Sequence, residues 1–265
     1  MASKLDSLNF DKTKLDITRL QYLHFNTSNP LQYTDHCNSA YELWKHQWTN
    51  TFSELGVDKK LTSDDFLNRK LCGLFNKDQA VGFILYQNVD LKLNANYETL
   101  YFHNYTPDLV HHQKIKRDQV FIISYMTLNP QWRKTNTNFS ISELLISFVV
   151  LEFNFSNAQR IIGYFRNNRS TNQIFYRHAG RFLSQKSAYN VDVDFAEIEI
   201  EKSHLSTQKD HAILSLKLWE IFNTQNKYKN TKETTHGTEI SRRQQEYEFF
   251  SQKFTRNGLE QQSYL

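Results

Sequence analysis

The sequence predicts an α+β domain: a mixed, largely antiparallel central sheet flanked by helices, with a C-terminal helical extension. Three observations predict it. Two short apolar runs, residues 71–75 and 80–86, flank the polar turn 76–79, as the strands of an antiparallel hairpin do. Residues 120–128 are apolar on both faces at first, the mark of a central buried strand. An amphipathic helix and a second strand follow, and strand–helix–strand is a parallel crossover unit.

The other elements are placed around these in order. Residues 15–23 partly alternate apolar and polar, as a half-buried strand does. Residues 33–55 set Tyr41, Trp44, Trp48, Phe52 and Leu55 at helical spacing, and Gly56 ends that helix. Thr62-Ser63-Asp64-Asp65 offers another helix start. Residues 88–119, polar and aromatic-rich, read as an insertion or lid. Residues 140–158 form a helix with one broad apolar stripe, and Ser140 with Glu143 matches a capping box. Residues 160–165 make a strand, 170–178 a short helix closed by Ala179-Gly180, and 194–200 a strand. Helices are expected at 211–222 and 240–254, with a solvated linker at 223–238. The main domain is placed at residues 1–201, and 202–265 are the extension.

The chain has 265 residues, 39% of them hydrophobic, enough for a core. A net charge of +4 is too weak to argue for nucleic acid, and His112–Arg117 reads as a solvated basic face. Two cysteines, Cys37 and Cys72, exclude a disulfide framework and a cysteine-rich zinc module; they read as free thiols in a reducing compartment. No apolar run reaches the roughly 20 residues of a membrane span. The expected location is the cytoplasm. No metal site is expected: His111-His112 has no accompanying ligand set. Phosphate-loop, nucleophile-elbow and zinc-helix motifs are missing as well.

In order along residues 15–200, the elements resemble the GNAT superfamily of N-acetyltransferases. Val81-Gly82-Phe83 is similar to the opening of that family's third strand, and Thr127-Leu128-Asn129-Pro130 to the end of its fourth. The following loop, Arg133-Lys134-Thr135-Asn136-Thr137-Asn138, has the family's arginine and spacing, with asparagine in place of both glycines. Asn168 through Tyr176 to Gly180 is similar to its Asn-rich turn and Tyr-x-x-x-Gly-Phe, with Arg181 inserted before Phe182.

The resemblance implies acyl transfer from acetyl-CoA or another acyl-CoA to an amine, by direct attack in a ternary complex. Tyr125, Met126, Thr127 and Leu128 would offer backbone groups to the coenzyme's arm. Arg133, Lys134, Thr135, Asn136, Thr137 and Asn138 would hold its pyrophosphate at a helix N-terminus, where unpaired N–H groups carry partial positive charge. Asparagine is the best substitute for glycine at positive φ. Asn168 and Asn172 would bind the cofactor or cap the short helix. Tyr176 would protonate the departing thiolate as general acid, since a phenol with pKa about 10 stays protonated at neutral pH. The general base is open between Glu98, His103, His111, His112, and Tyr125 or Ser124 acting through water.

Two further readings stand beside this one. A long acyl chain, on coenzyme A or on acyl carrier protein, would make the chain similar to N-acyl amino acid synthases. A non-catalytic interaction protein would keep the fold and lose the cofactor. In that case Ile213, Leu216 and Trp219, with Tyr247, Phe250 and Phe254, would pack on the domain itself, form a homodimer contact or receive a partner.

Overall fold

The computed structural model describes residues 19–99, 101–102, 105, 107–116, 118–133, 139–201, 203, 205 and 208–230, with side chains as far as 224. The chain divides into two compact units, residues 1–222 and 223–265. Among the described residues seven strands lie in the first: β1 (Gln21–Asn26), β2 (Lys70–Asn76), β3 (Gln79–Asp90), β4 (Gln119–Leu128), β5 (Arg160–Arg166), β6 (Arg181–Ala188) and β7 (Val191–Glu199). The helices are α1 (Thr34–Glu54), α2 (Pro107–Lys116), α3 (Ile141–Asn154), α4 (Thr171–Tyr176) and α5 (Lys209–Asn230). Of the second unit, the described part is the end of α5, residues 223–230.

The strands form one mixed sheet in the order β1-β2-β3-β4-β5-β7-β6, in which β4–β5 is parallel and the other pairs are antiparallel. Successive side chains in a strand point to opposite faces. On one face Phe83 meets Phe66, which packs on Trp44 of α1, and Ile122 joins a cluster with Leu109 of α2. On the other, Phe121 meets Phe153 of α3, and Phe165 stacks on Phe175 of α4. The helix α3 is buried on nearly its whole circumference, not along one stripe, because α4 and α5 cover the side turned from the sheet.

The hairpin is tighter than expected: Asn76 pairs with Gln79, leaving Lys77 and Asp78 as the loop, with Lys77 at φ 52°. The first strand, expected at 15–23, runs over Gln21–Asn26 in the described residues, which begin at 19, and pairing with β2 buries Tyr22, Leu23 and Phe25. Thr62 to Asp65 form a capping box on a single 3-10 turn, and no α-helix follows. Residues 88–119, read as an insertion or lid, are described in part. β3 continues to Asp90, and Leu91, Tyr97, Phe102, Tyr105 and Leu109 pack with the sheet in one apolar cluster.

The edge strand β6 has no counterpart in the sequence prediction; its mostly polar residues are exposed or half-exposed on both faces, so no alternation marks it. Residues 223–230 continue α5, where a linker was expected. The buried face of α5 carries His211, Leu214, Leu218, Trp219 and Phe222, whereas Ile213 is exposed. The expected helix 240–254 lies outside the described residues. Among the described residues no helix is long and apolar enough to cross a membrane, and no cluster of metal-ligating side chains occurs.

Candidate active site

The site is built on a break in the sheet. β4 and β5 pair from Val120/Arg160 only as far as Ile123/Gly163, although β4 continues to Leu128 and β5 to Arg166. The cause is local. Tyr125 takes a left-handed conformation, φ 48°, and Tyr125 and Met126 together stand opposite Ile84 of β3. Such a bulge bends the strand and twists it away from its neighbour. A non-glycine residue there costs of order 1 kcal/mol, so the surroundings must hold it. They do: Trp44 and Trp48 press their edges on the Tyr125 ring, and its hydroxyl donates to Asp65 Oδ1 at 2.9 Å.

Beyond the break the backbone of Tyr125, Met126, Thr127 and Leu128 therefore has no strand partner on the β5 side. Thr127 Oγ1 donates to the Tyr125 carbonyl at 3.1 Å and accepts from Trp48 Nε1 at 3.1 Å. Around the opening lie groups that no motif announced. Lys59 Nζ donates to the Tyr125 hydroxyl at 3.2 Å, lies 3.6 Å from Asp65 Oδ1, and sits over the rings of Phe52 and Tyr189. Arg69 Nη1 donates to Ser124 Oγ at 3.2 Å. Burial pushes the Asp65 carboxyl up, but the Thr62 N–H, Lys59 and Tyr125 outweigh it and hold the pKa below the ordinary carboxylate range.

On the β5 side, Ser170 at φ 54° turns the chain from a 3-10 turn (Asn167–Arg169) into α4. Asp194 of β7 organises this corner. Tyr176 donates its hydroxyl proton to Asp194 Oδ2 at 2.5 Å, Asn172 donates to the same oxygen at 2.8 Å, and Asn167 donates to Oδ1 at 2.8 Å. Burial would raise the Asp194 pKa; these three donors lower it. Burial first, then the adjacent carboxylate, pushes the Tyr176 phenol well above its usual range. Asn168 is exposed and accepts from Arg166 Nε at 3.2 Å. Gly180 is required where it stands: a Cβ there would meet the Phe175 carbonyl oxygen at 2.7 Å.

The helix end at Ser140 is capped, but by half of the expected box. Ser140 Oγ accepts from the Glu143 N–H, while the Ser140 N–H donates to His211 Nε2 at 2.8 Å. The Glu143 carboxylate turns away to Arg177. Arg133 is exposed at the end of a 3-10 turn (Pro130–Trp132). Lys134, Thr135, Asn136, Thr137 and Asn138 lie outside the described residues, as does His103.

Tyr125–Leu128 line the break, and Asn172 and Tyr176 share Asp194 on the β5–β7 side. Glu98 and His111 are exposed, before and on α2. His112 is half-buried beside Lys116 and Glu197, at the end of β5 remote from the break. Lys116 is not part of a solvated basic face: it donates to Glu197 at 3.2 Å and Glu199 at 3.1 Å. One sequence signal for Asp194 existed, a carboxylate between Val193 and Phe195 in an apolar strand. Lys59, Asp65 and Arg69 had none, because all three lie in the connection between α1 and β2, which carries no periodic pattern.

No protein-family model matches the chain, and no curated protein does. Solved structures do. BjaI, a CoA-dependent acyl-homoserine lactone synthase, aligns with a TM-score of 0.50 at 9% identity, over 74% of this chain and 87% of that one. FeeM, an N-acyl amino acid synthase from uncultured soil microbes, gives 0.47 at 10%, over 69% and 92%. The putative acetyltransferase yncA from Salmonella typhimurium, with its cofactor acetyl-CoA, gives 0.42 at 9%, over 69% and 94%. A seven-stranded mixed sheet, split after Ile123/Gly163 and flanked by helices on both faces, is the fold of the GNAT-type acyltransferases, and this chain has that fold.

Proposed function

We propose that the protein is an N-acyltransferase that moves an acetyl or other acyl group from coenzyme A to an amine. The observation that carries the reading is the break between β4 and β5, which leaves the main-chain groups of Tyr125–Leu128 without a strand partner on the β5 side. Unpaired main-chain groups are obligatory hydrogen-bonding groups, so an extended amide-bearing chain laid along them satisfies both. Their N–H groups also suit a thioester carbonyl oxygen that gains charge as the amine attacks. The amine nitrogen bonds to the carbonyl carbon, the C–S bond breaks, the thiolate leaves with the bonding pair, and the amine loses one proton. Holding both substrates in place supplies much of the rate.

Arg133, Lys134, Thr135, Asn136, Thr137 and Asn138, before α3, are assigned to the pyrophosphate; Asn168 and Asn172 to the edge of the coenzyme site. Tyr176 is assigned as the group that hydrogen-bonds and protonates the departing thiolate, for which its hydroxyl must turn from Asp194. A longer acyl donor, on coenzyme A or acyl carrier protein, is the second reading. The ring wall of Trp48, Phe52, Tyr125 and Tyr189 beside the break favours it.

The test is thermal unfolding with millimolar acetyl-CoA, longer acyl-CoAs and acyl carrier protein. A ligand at about 100 times its Kd adds roughly 2.7 kcal/mol of stability. A rise with acetyl-CoA supports the first reading, and a rise with long chains alone the second. No rise with any of them refutes both and leaves an interaction protein on this fold. Arg133→Glu is expected to abolish the rise.

A further inference from the structure

Arg69 stands immediately before β2, at the mouth of the break. Its guanidinium is half-buried, yet it makes no ion pair among the described residues. Nε donates to the main-chain oxygen of Asp65 at 2.9 Å, and Nη1 to Ser124 Oγ at 3.2 Å. The plane lies over the Tyr125 ring at 5.7 Å. The nearest carboxylate, Asp65, is already engaged by Lys59, Tyr125 and Thr62. Burying a cation without an anionic partner is costly, so the fold holds a fork of donors toward a group it does not itself supply.

A second observation points to the same place. The hydroxyls of Tyr101, Tyr105 and Tyr164 are buried, and among the described residues none has a hydrogen-bond partner outside this trio. Tyr105 is 7% exposed. Tyr164 follows Gly163, the last residue of β5 paired to β4, so it stands across the break from Ser124. Tyr101 lies within the field of Arg69, and the three rings pack on one another. One half-buried cation beside neutral phenol donors is a set suited to an anion with several acceptor oxygens.

We propose that Arg69 receives the carboxylate of the acceptor, so that the amine substrate is an amino acid or another amine bearing a carboxylate. This rests on the acyltransferase reading above. Arg69 binds the acceptor and does not take part in bond making, Ser124 holds its guanidinium, and Tyr101 assists it.

The test uses the full chain and pairs of acceptors differing only in the carboxylate, such as leucine against isoamylamine and tyrosine against tyramine. Acyl transfer from the donor that raises the unfolding midpoint is followed for each. The expected result is a kcat/KM at least 100-fold higher for the carboxylated member of each pair. In Arg69→Gln that ratio should fall toward one through KM, and Arg69→Lys should lie between. The donor-induced rise in midpoint should persist in both variants. A donor-induced rise with equal use of the decarboxylated amines, or with no transfer to either member, overturns the carboxylate assignment and leaves the donor site standing. A ratio unchanged in Arg69→Gln moves the carboxylate to another residue and overturns it too. No rise with any acyl donor overturns the transferase reading and this assignment with it.

Discussion

Tyr176→Phe removes one oxygen from the corner that ties α4 to β7. The phenol donates to Asp194 at 2.5 Å, alongside the Asn172 and Asn167 amides. A hydrogen bond to a charged group contributes about 1.5–3 kcal/mol, and Tyr176 is half-exposed, so the expected loss of stability is about 1.5 kcal/mol, the low end. The pH dependence carries the same information. Asp194 has a lowered pKa in the fold, so its contribution is present above the carboxylate's unfolded value and is lost as pH falls through the folded one. With one donor fewer the lowering shrinks, so the difference between variant and parent should narrow under acid. Urea unfolding at pH 7 and at the acid end measures both. Turnover tests the chemical role. Burial and Asp194 raise the phenol's pKa, which makes it a hydrogen-bond donor to the thiolate more than a strong acid. The expected loss in kcat is about 100-fold, the low end for general acid catalysis, with the coenzyme-induced rise in midpoint intact. Unchanged kcat removes Tyr176 from the reaction; unchanged stability refutes the Asp194 argument.

Three other predictions follow from the same physics. Arg160 is buried and binds Asp118 in bidentate fashion at 2.5 and 2.6 Å, with Glu197 at 2.9 Å and Gln113 at 2.7 Å. Arg160→Met is expected to cost about 3–5 kcal/mol in urea unfolding, because it strands buried acceptors; a loss below about 1 kcal/mol would refute the network. Burial would raise the Glu197 pKa, but Arg181 and Arg160 bring it to about 2, so its contribution is present above pH about 4.5 and is lost as pH falls toward about 2. Glu197→Gln should flatten that acid limb, and an unaltered limb assigns it elsewhere. Gly180→Ala should destabilise by more than the fraction of a kcal/mol typical of surface changes, since its Cβ would collide with Phe175 main-chain oxygen; calorimetry decides it.

The hairpin β2–β3, the buried strand β4 and the helix α3 were legible in the sequence because each has a one-dimensional signature. Burial imposes it: apolar runs bounded by polar turns, or a stripe behind a serine cap. Tyr176, Asn172 and the β4 segment could be named through the family resemblance, whose motifs are short stretches of sequence. Folding was needed for groups that meet partners distant in the sequence. Lys59, Asp65 and Arg69 come together only when the chain after α1 packs against β4. Asp194 becomes a hub only when β7 pairs beside β5. The break at Tyr125 is likewise tertiary, since nothing in Ser124-Tyr125-Met126 marks a left-handed residue; Trp44, Trp48 and Asp65 hold it there. Periodicity records which side of an element is buried, and it carries no record of which buried side chains from different elements meet.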